Sequence, residues 1–142
     1  MEGARQTLMS NFVVDASVVC CWILPDEAST SAGKAFDLLE TNDAVAPDLI
    51  WHEVRNVLML ARRRKRIDFD LVAQGLHFLR RLRIVTIPSP DDHPILALAE
   101  RQALTAYDAA YLALALERQL PLATLDRKLA EAAAREGVAL VS

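Results

Sequence analysis

Phe12-Val13-Val14-Asp15 is the stretch on which the fold turns. Three consecutive apolar residues, two of them β-branched, read as a strand buried on both faces, as strands of a parallel sheet do. Working outward, Pro25-Asp26-Glu27 opens a helix expected to reach about Leu39, with Ala32, Ala35, Phe36 and Leu39 at helical spacing. Val45-Ala46 is a very short strand. Pro47-Asp48 starts a long helix with Ile50, Val54, Val57, Leu58 and Ala61 on one face. Asp68 is placed to cap the next helix, which carries Leu71, Leu76, Phe78, Leu79 and Leu82. Ile84 to Ile87 is a second clear strand. Helices are expected from His93-Pro94 and over Thr105 to Gln119. Pro121 to Leu125 reads as a strand ending at Asp126, followed by an alanine-rich helix to Glu136, a stop at Gly137 and a last strand over Val138 to Val141. Strands alternating with helices define one α/β domain on a parallel sheet.

The chain of 142 residues has room for one domain of ordinary size, and 53% hydrophobic with 25% charged residues is enough apolar matter for a core. Its four glycines (Gly3, Gly33, Gly75, Gly137) are isolated. That excludes a P-loop and a dinucleotide-binding glycine turn, which need closely spaced glycines to bring backbone near phosphate. Cys20 and Cys21 are adjacent, which suits neither a zinc site nor a disulfide framework, so buried thiols are expected. The first ten residues lack an apolar signal-peptide core. The apolar stretch from Phe12 to Leu24 is short and interrupted by Asp15, so no membrane span is expected and the protein reads as cytoplasmic.

Sites on open parallel sheets form beyond the carboxyl ends of the strands. Asp15 and Asp126 both fall there, although an Asp in that place also serves as a helix cap. Glu53 lies inside the long helix, with Asn56 three residues on sharing its face. Asp108 falls in the first turn of its helix, where the helix dipole favours negative charge. Singly, each acid has an ordinary structural explanation. Together they suggest a pocket lined from two strand ends and two helices, self-repelling unless a divalent cation enters; all-oxygen donors suit Mg²⁺ or Mn²⁺. Such sites promote displacement at phosphorus without a histidine base, so His52, His77 and His93 are not required.

Four segments carry a further likeness: Val14-Asp15-Ala16-Ser17-Val18-Val19; Ala46-Pro47-Asp48-Leu49 leading to Glu53-Val54 and Asn56-Val57-Leu58; Tyr107-Asp108-Ala109-Ala110-Tyr111-Leu112; and Leu122-Ala123-Thr124-Leu125-Asp126. In this order and spacing the chain resembles the PIN-domain ribonucleases, and within them the VapC-type toxins of VapBC toxin–antitoxin pairs. The resemblance implies a three-layer α/β/α sandwich with a central parallel sheet, the PIN domain spanning 12–141 behind an N-terminal extension, 1–11, expected to be disordered. It implies a Mg²⁺- or Mn²⁺-dependent endoribonuclease whose catalytic and metal-binding acids are Asp15, Glu53, Asp108 and Asp126. Asp15 and Asp108 match the direct ligands, while Glu53 and Asp126 match positions acting through water or a second ion. Ser17, Asn56 and Thr124 match polar positions that orient the carboxylates and waters. A cognate VapB-type antitoxin whose tail covers the pocket, and a homodimer, are implied partners. Trp22, Trp51 and Leu49 are candidates for an apolar partner patch.

Charge is unevenly spread. From Arg55 to Arg83 the net charge is +7, against −3 for the whole chain. Arg62, Arg63, Arg64, Lys65 and Arg66 end the helix bearing Glu53, starting about 13 Å beyond it at 1.5 Å per residue. They are candidates for an RNA phosphate track, the competing role being a solvated helix terminus. Two rival enzyme classes fail on residues: a haloacid-dehalogenase-type site needs an Asp where Ser17 stands, and a receiver domain needs paired acids at the first strand end. A PIN-like fold that binds RNA or protein without cutting is the remaining alternative.

Overall fold

The computed structural model describes residues 11–89 and 91–142. Its elements are β1 (Phe12–Val14), α1 (Ala16–Cys21), α2 (Thr30–Leu38), β2 (Ala44–Pro47), α3 (Ile50–Arg63), α4 (Phe69–Arg80), β3 (Ile84–Ile87), α5 (Asp92–Gln102), α6 (Ala106–Arg118), β4 (Leu122–Ala123) and α7 (Arg127–Arg135). The four strands form one parallel sheet in the order β3-β2-β1-β4. Phe12, Val13 and Val14 are fully buried, as a central strand covered on both faces requires. Helix α1 packs on α2 and α3, and α3 on α4, while α5 and α7 pack on α6, which crosses β1, β2 and β4. Right-handed crossovers place these two groups on opposite faces, giving the α/β/α sandwich.

The chain leaves β1 toward β2 on one side and returns to β4 on the other. The crevice between β1 and β4, beyond their carboxyl ends, is therefore the topological switch point where parallel sheets bind ligands. Edge strand β3 is only half-buried, with Val85 exposed.

Several boundaries differ from the expectations. Residues 16–21 form a helix capped by the Asp15 carboxylate, which accepts from Val18 N–H at 3.2 Å; the run Val18-Val19-Cys20-Cys21 hides this because β-branched residues favour strands. The helix expected from Pro25 begins at Thr30, capped by Ser29, because Asp26 and Glu27 are engaged elsewhere. Pro47 ends β2 instead of starting α3, with Asp48 N–H donating to Ile87 O at 3.0 Å. The last strand is reduced to a single bridge, Leu122 with Leu140. The expectation for 1–11 lies outside the described residues except at Asn11, whose Oδ1 accepts from Asp43 N–H at 3.0 Å.

Helices α3, α5 and α6 each end with a non-glycine residue in the left-handed region: Lys65 (φ 62°), Ala103 (φ 54°) and Gln119 (φ 55°). At α3 the bonds are those of a Schellman motif, Lys65 N–H to Arg62 O at 3.0 Å and Arg66 N–H to Ala61 O at 2.9 Å. Ala103 is exposed, so its methyl group contributes little packing and leaves only the steric cost of positive φ. Ala103→Gly is expected to stabilise the protein by about 1 kcal/mol, on the order of 3 °C in a thermal melt. An unchanged or lower melting temperature would count against that account of the turn.

Candidate active site

Asp15 sits at the end of β1, 5% exposed, with its carboxylate held on every side. Oδ1 accepts from Ser17 Oγ at 2.6 Å and from Val18 N–H; Oδ2 accepts from the Thr124 hydroxyl at 2.5 Å. Thr124 also accepts from Asp126 N–H at 3.0 Å, and Ser17 Oγ accepts from Leu125 N–H at 3.0 Å. The two strand ends are thus stitched together by two hydroxyls. This stitching explains why β4 stops at Ala123 and not at Leu125: residues 124 and 125 turn out of the sheet to serve Asp15.

Asp126 caps α7, Oδ1 accepting from Lys128 N–H at 2.9 Å and Leu129 N–H at 3.2 Å. Asp108 lies on the first turn of α6, its N–H bonded to the Thr105 cap hydroxyl at 3.1 Å. Glu53 projects from the first turn of α3 and accepts at Oε1 from Tyr111 O–H at 2.5 Å. That bond ties α3 on one face of the sheet to α6 on the other.

All four acids line one cavity of about 360 Å³, together with Ser17, Cys20, Leu24, Glu27, Val57 and Tyr111. Among the described residues, no Lys, Arg or His lines it. Burial, and then the charge of Asp108, push the Asp15 carboxyl above its ordinary range, against the pull of its hydrogen bonds. Glu53 is raised by burial and by Asp108 and Asp15, partly offset by the Tyr111 bond. Asp108 is raised by burial and by Asp126. The Cys20 thiol is pushed up to about 12 by burial and by surrounding carboxylates, so it stays protonated.

Hard, charged oxygen donors fit a Mg²⁺- or Mn²⁺-type cation, with Lys128 partly offsetting the rise at Asp108. As the side chains stand, no three metal-binding groups among the described residues are drawn close enough to hold an ion. The hydrogen bonds give the reason: both Asp15 oxygens, Glu53 Oε1 and Asp126 Oδ1 already have donors.

Ser17 and Thr124 both donate hydroxyl hydrogen bonds to the Asp15 carboxylate. Asn56 is not brought to the pocket; it is exposed and has no side-chain hydrogen bond among the described residues. His52, His77 and His93 are exposed and outside the pocket, His52 contacting Arg55 at 2.9 Å. Trp22 and Trp51 are partly buried, Trp22 bonded to Ala32 O and Trp51 lying under the Arg80 guanidinium at 4.0 Å. Tyr111 has a site role that the sequence reading did not assign. Its signal was the i, i+3 spacing from Asp108, which puts both on one helix face. Arg62, Arg63, Arg64 and Lys65 are exposed and make no ion pair among the described residues, whereas Arg66 is bound to Asp26 and Glu27.

A small parallel-sheet domain with an acid-lined crevice at its switch point defines a class, and the sequence agrees: the PIN domain profile matches residues 12–135, and the chain belongs to that family. Ribonuclease VapC3 of Pyrobaculum aerophilum is 34% identical over 123 residues, covering 84% of this chain and 92% of that protein. Among solved structures, PAE2754 from Pyrobaculum aerophilum superposes with a TM-score of 0.68 at 24% identity, over 87% of this chain and 86% of that one. FitAcB from Neisseria gonorrhoeae gives 0.60 at 18% identity, over 92% and 96%. VapC20 of Mycobacterium tuberculosis, a Sarcin-Ricin loop cleaving toxin, gives 0.56 at 14% identity, over 85% and 94%. These structural likenesses bear on the fold. No described helix is long and apolar enough to cross a membrane.

Proposed function

We propose that this chain is a divalent-metal-dependent endoribonuclease and the toxin of a type II toxin–antitoxin pair, with residues 12–141 as its catalytic PIN domain. The observation that carries this is the convergence of Asp15, Glu53, Asp108 and Asp126, from four separate elements, on one cavity that no basic side chain lines among the described residues. Kinship with Ribonuclease VapC3 supports RNA as the substrate and a VapB-type antitoxin as the cytoplasmic partner. A homodimer is part of the same reading.

Asp15 and Asp108 would hold Mg²⁺ or Mn²⁺, with Glu53 and Asp126 acting through water or a second ion. When bound, the cation polarises water for attack on a phosphodiester and screens the charge of the phosphate. The chain's own residues do the rest. Ser17 and Thr124 lock the Asp15 carboxylate in one rotamer. Tyr111 holds Glu53 Oε1 and leaves Oε2 without a donor among the described residues. The raised carboxyl of Glu53 makes it a better proton acceptor than an ordinary carboxylate.

Purified protein is expected to cut total cellular RNA at discrete positions with Mg²⁺ or Mn²⁺, and to stop with chelator or as Asp108→Asn. A folded, metal-supplied, partner-free protein that leaves all RNA intact would move the assignment to binding without cleavage. The basic stretch gives a second expected result. Eleven residues along α3 bring the helix round to within about 20° of Glu53, so Arg64 continues its face by way of Val57 and Leu60, while Arg62 points the opposite way. Arg64→Glu should weaken RNA binding about tenfold and lower its salt slope by about one, with Arg62→Glu milder. Equal effects would mean that the track does not follow the helix face.

A further inference from the structure

The loop between α1 and α2, residues 22–29, walls the acid pocket without contributing one of the four acids. Leu24 and Glu27 line the cavity from it. Three attachments hold the loop. Trp22 Nε1–H donates to Ala32 O at 2.8 Å. Ile23 packs into the space left by Gly75 of α4: its Cδ1 stands 2.6 Å from where a Cβ on residue 75 would lie. Arg66 supplies the third, donating from Nε to Asp26 Oδ2 at 2.8 Å and from Nη2 to Asp26 Oδ1 at 2.7 Å, with Glu27 Oε1 also at 3.1 Å from Nη2. A bidentate fork of this kind fixes direction as well as distance. The Schellman turn at Lys65 aims Arg66 across to the loop, and buried Ile67 anchors the backbone behind it.

We propose that Arg66 is a positioning residue for the acid pocket: its grip on Asp26 and Glu27 holds the 22–29 loop in place as the pocket's outer wall. Arg66 thereby leaves the group of expected RNA contacts, since its guanidinium already serves two carboxylates. Glu27 is the fifth acid lining the cavity, and Arg66 is the cation that balances it at the rim. Freed, Glu27 would add an uncompensated negative charge where a phosphodiester has to enter. Exposed ion pairs add little to global stability, so the effect of the grip is local to the loop.

The kinetic part of this assignment rests on the proposed RNA cleavage; the structural part does not. Arg66→Gln removes the grip together with the cation, and the double variant Asp26→Asn/Glu27→Gln removes the grip and leaves the cation. Amide hydrogen exchange at Ile23, Leu24 and Glu27 is expected to quicken about tenfold in both, with the melting temperature nearly unchanged. Both should lose several-fold in kcat/KM for RNA, and Arg66→Lys, which keeps the cation but not the two-pronged fork, should recover only part of that loss and of the exchange protection. An RNA contact at Arg66 predicts the opposite for the double variant: tighter RNA binding and unaltered loop exchange. That result, or faster exchange with wild-type cleavage, overturns the proposal. Should the wild-type protein cut no RNA, the functional reading fails on that result, while the exchange data still decide whether Arg66 holds the loop.

Discussion

Asp15→Asn is expected to give a folded protein that melts at or above the wild-type temperature and has lost at least ~100-fold in kcat/KM for RNA. The two halves of this result have one cause. The carboxylate is buried among like charges, which is why its carboxyl is raised despite three hydrogen bonds. An amide keeps Oδ1 for Ser17 and Val18. The Thr124 hydroxyl, which already accepts from Asp126 N–H, has a second lone pair to accept from the new Nδ2–H. What disappears is the charge, costly to the fold and needed by the chemistry. Asp15→Ala should differ by unfolding more easily, by about 2–4 kcal/mol, because it strands donors on Ser17, Thr124 and Val18 together. A thermal melt beside a cleavage assay checks both. An Asn variant that cuts normally would remove Asp15 from the reaction.

The second large effect is on pH and metal. Asp15, Glu53 and Asp108 all have carboxyls raised in the folded protein, with burial as the leading cause. A group whose folded pKa exceeds its unfolded value binds its proton more tightly when native. Its contribution to stability is therefore complete at low pH and is lost as pH rises through the folded value. Glu136 has the opposite sign. Arg101 and Gln102 pull it down to about 2, so its contribution is present above the ordinary carboxylate range and lost as pH falls through that value. Without metal, acidification through the folded values of these three carboxyls should raise the melting temperature, before protonation of groups such as Glu136 lowers it. Saturating Mn²⁺ at neutral pH should reverse the upper limb, because it replaces the missing protons. At 100 times its dissociation constant it adds about 2.7 kcal/mol, on the order of 8 °C. Melts across pH with Mn²⁺ or chelator read this directly. A metal-free melting temperature that never rises on acidification would mean that Asp15, Glu53 and Asp108 do not strain the native state.

The sheet was legible where apolar residues run together. Phe12 to Val14 and Ile84 to Ile87 stand where their composition put them, because burial of contiguous apolar residues is a local signal. Helix α6 was legible to within one residue at each end, since Thr105 and Gln119 flank it as cap and left-handed stop. Helix α1 was not, because its six residues are stabilised by the Asp15 cap and by packing on α3, against the preference of Val18 and Val19. Of the candidate site, the four acids could be gathered only as a set. Asp15 and Asp126 do cap their helices and also line the pocket, so neither role could be read from local sequence as excluding the other. The Tyr111–Glu53 bond and the engagement of Arg66 with Asp26 were out of reach for a different reason. They join residues 58 and 40 positions apart, and nothing in a linear pattern reports where two helices or a loop and a turn will meet.

The span of the Thr124–Asp15 bond has a consequence for timing. Its partners are 109 residues apart, and β1 meets β4 only across that same interval. A nascent chain that has not yet delivered Leu122 has β1 as an unfinished edge and Asp15 without its Thr124 clasp, and it lacks Asp126 altogether. Local helices form early, whereas such distant pairings close late. The complete acid pocket therefore arrives only with the later stages of folding, once Thr124 and Asp126 have joined Asp15.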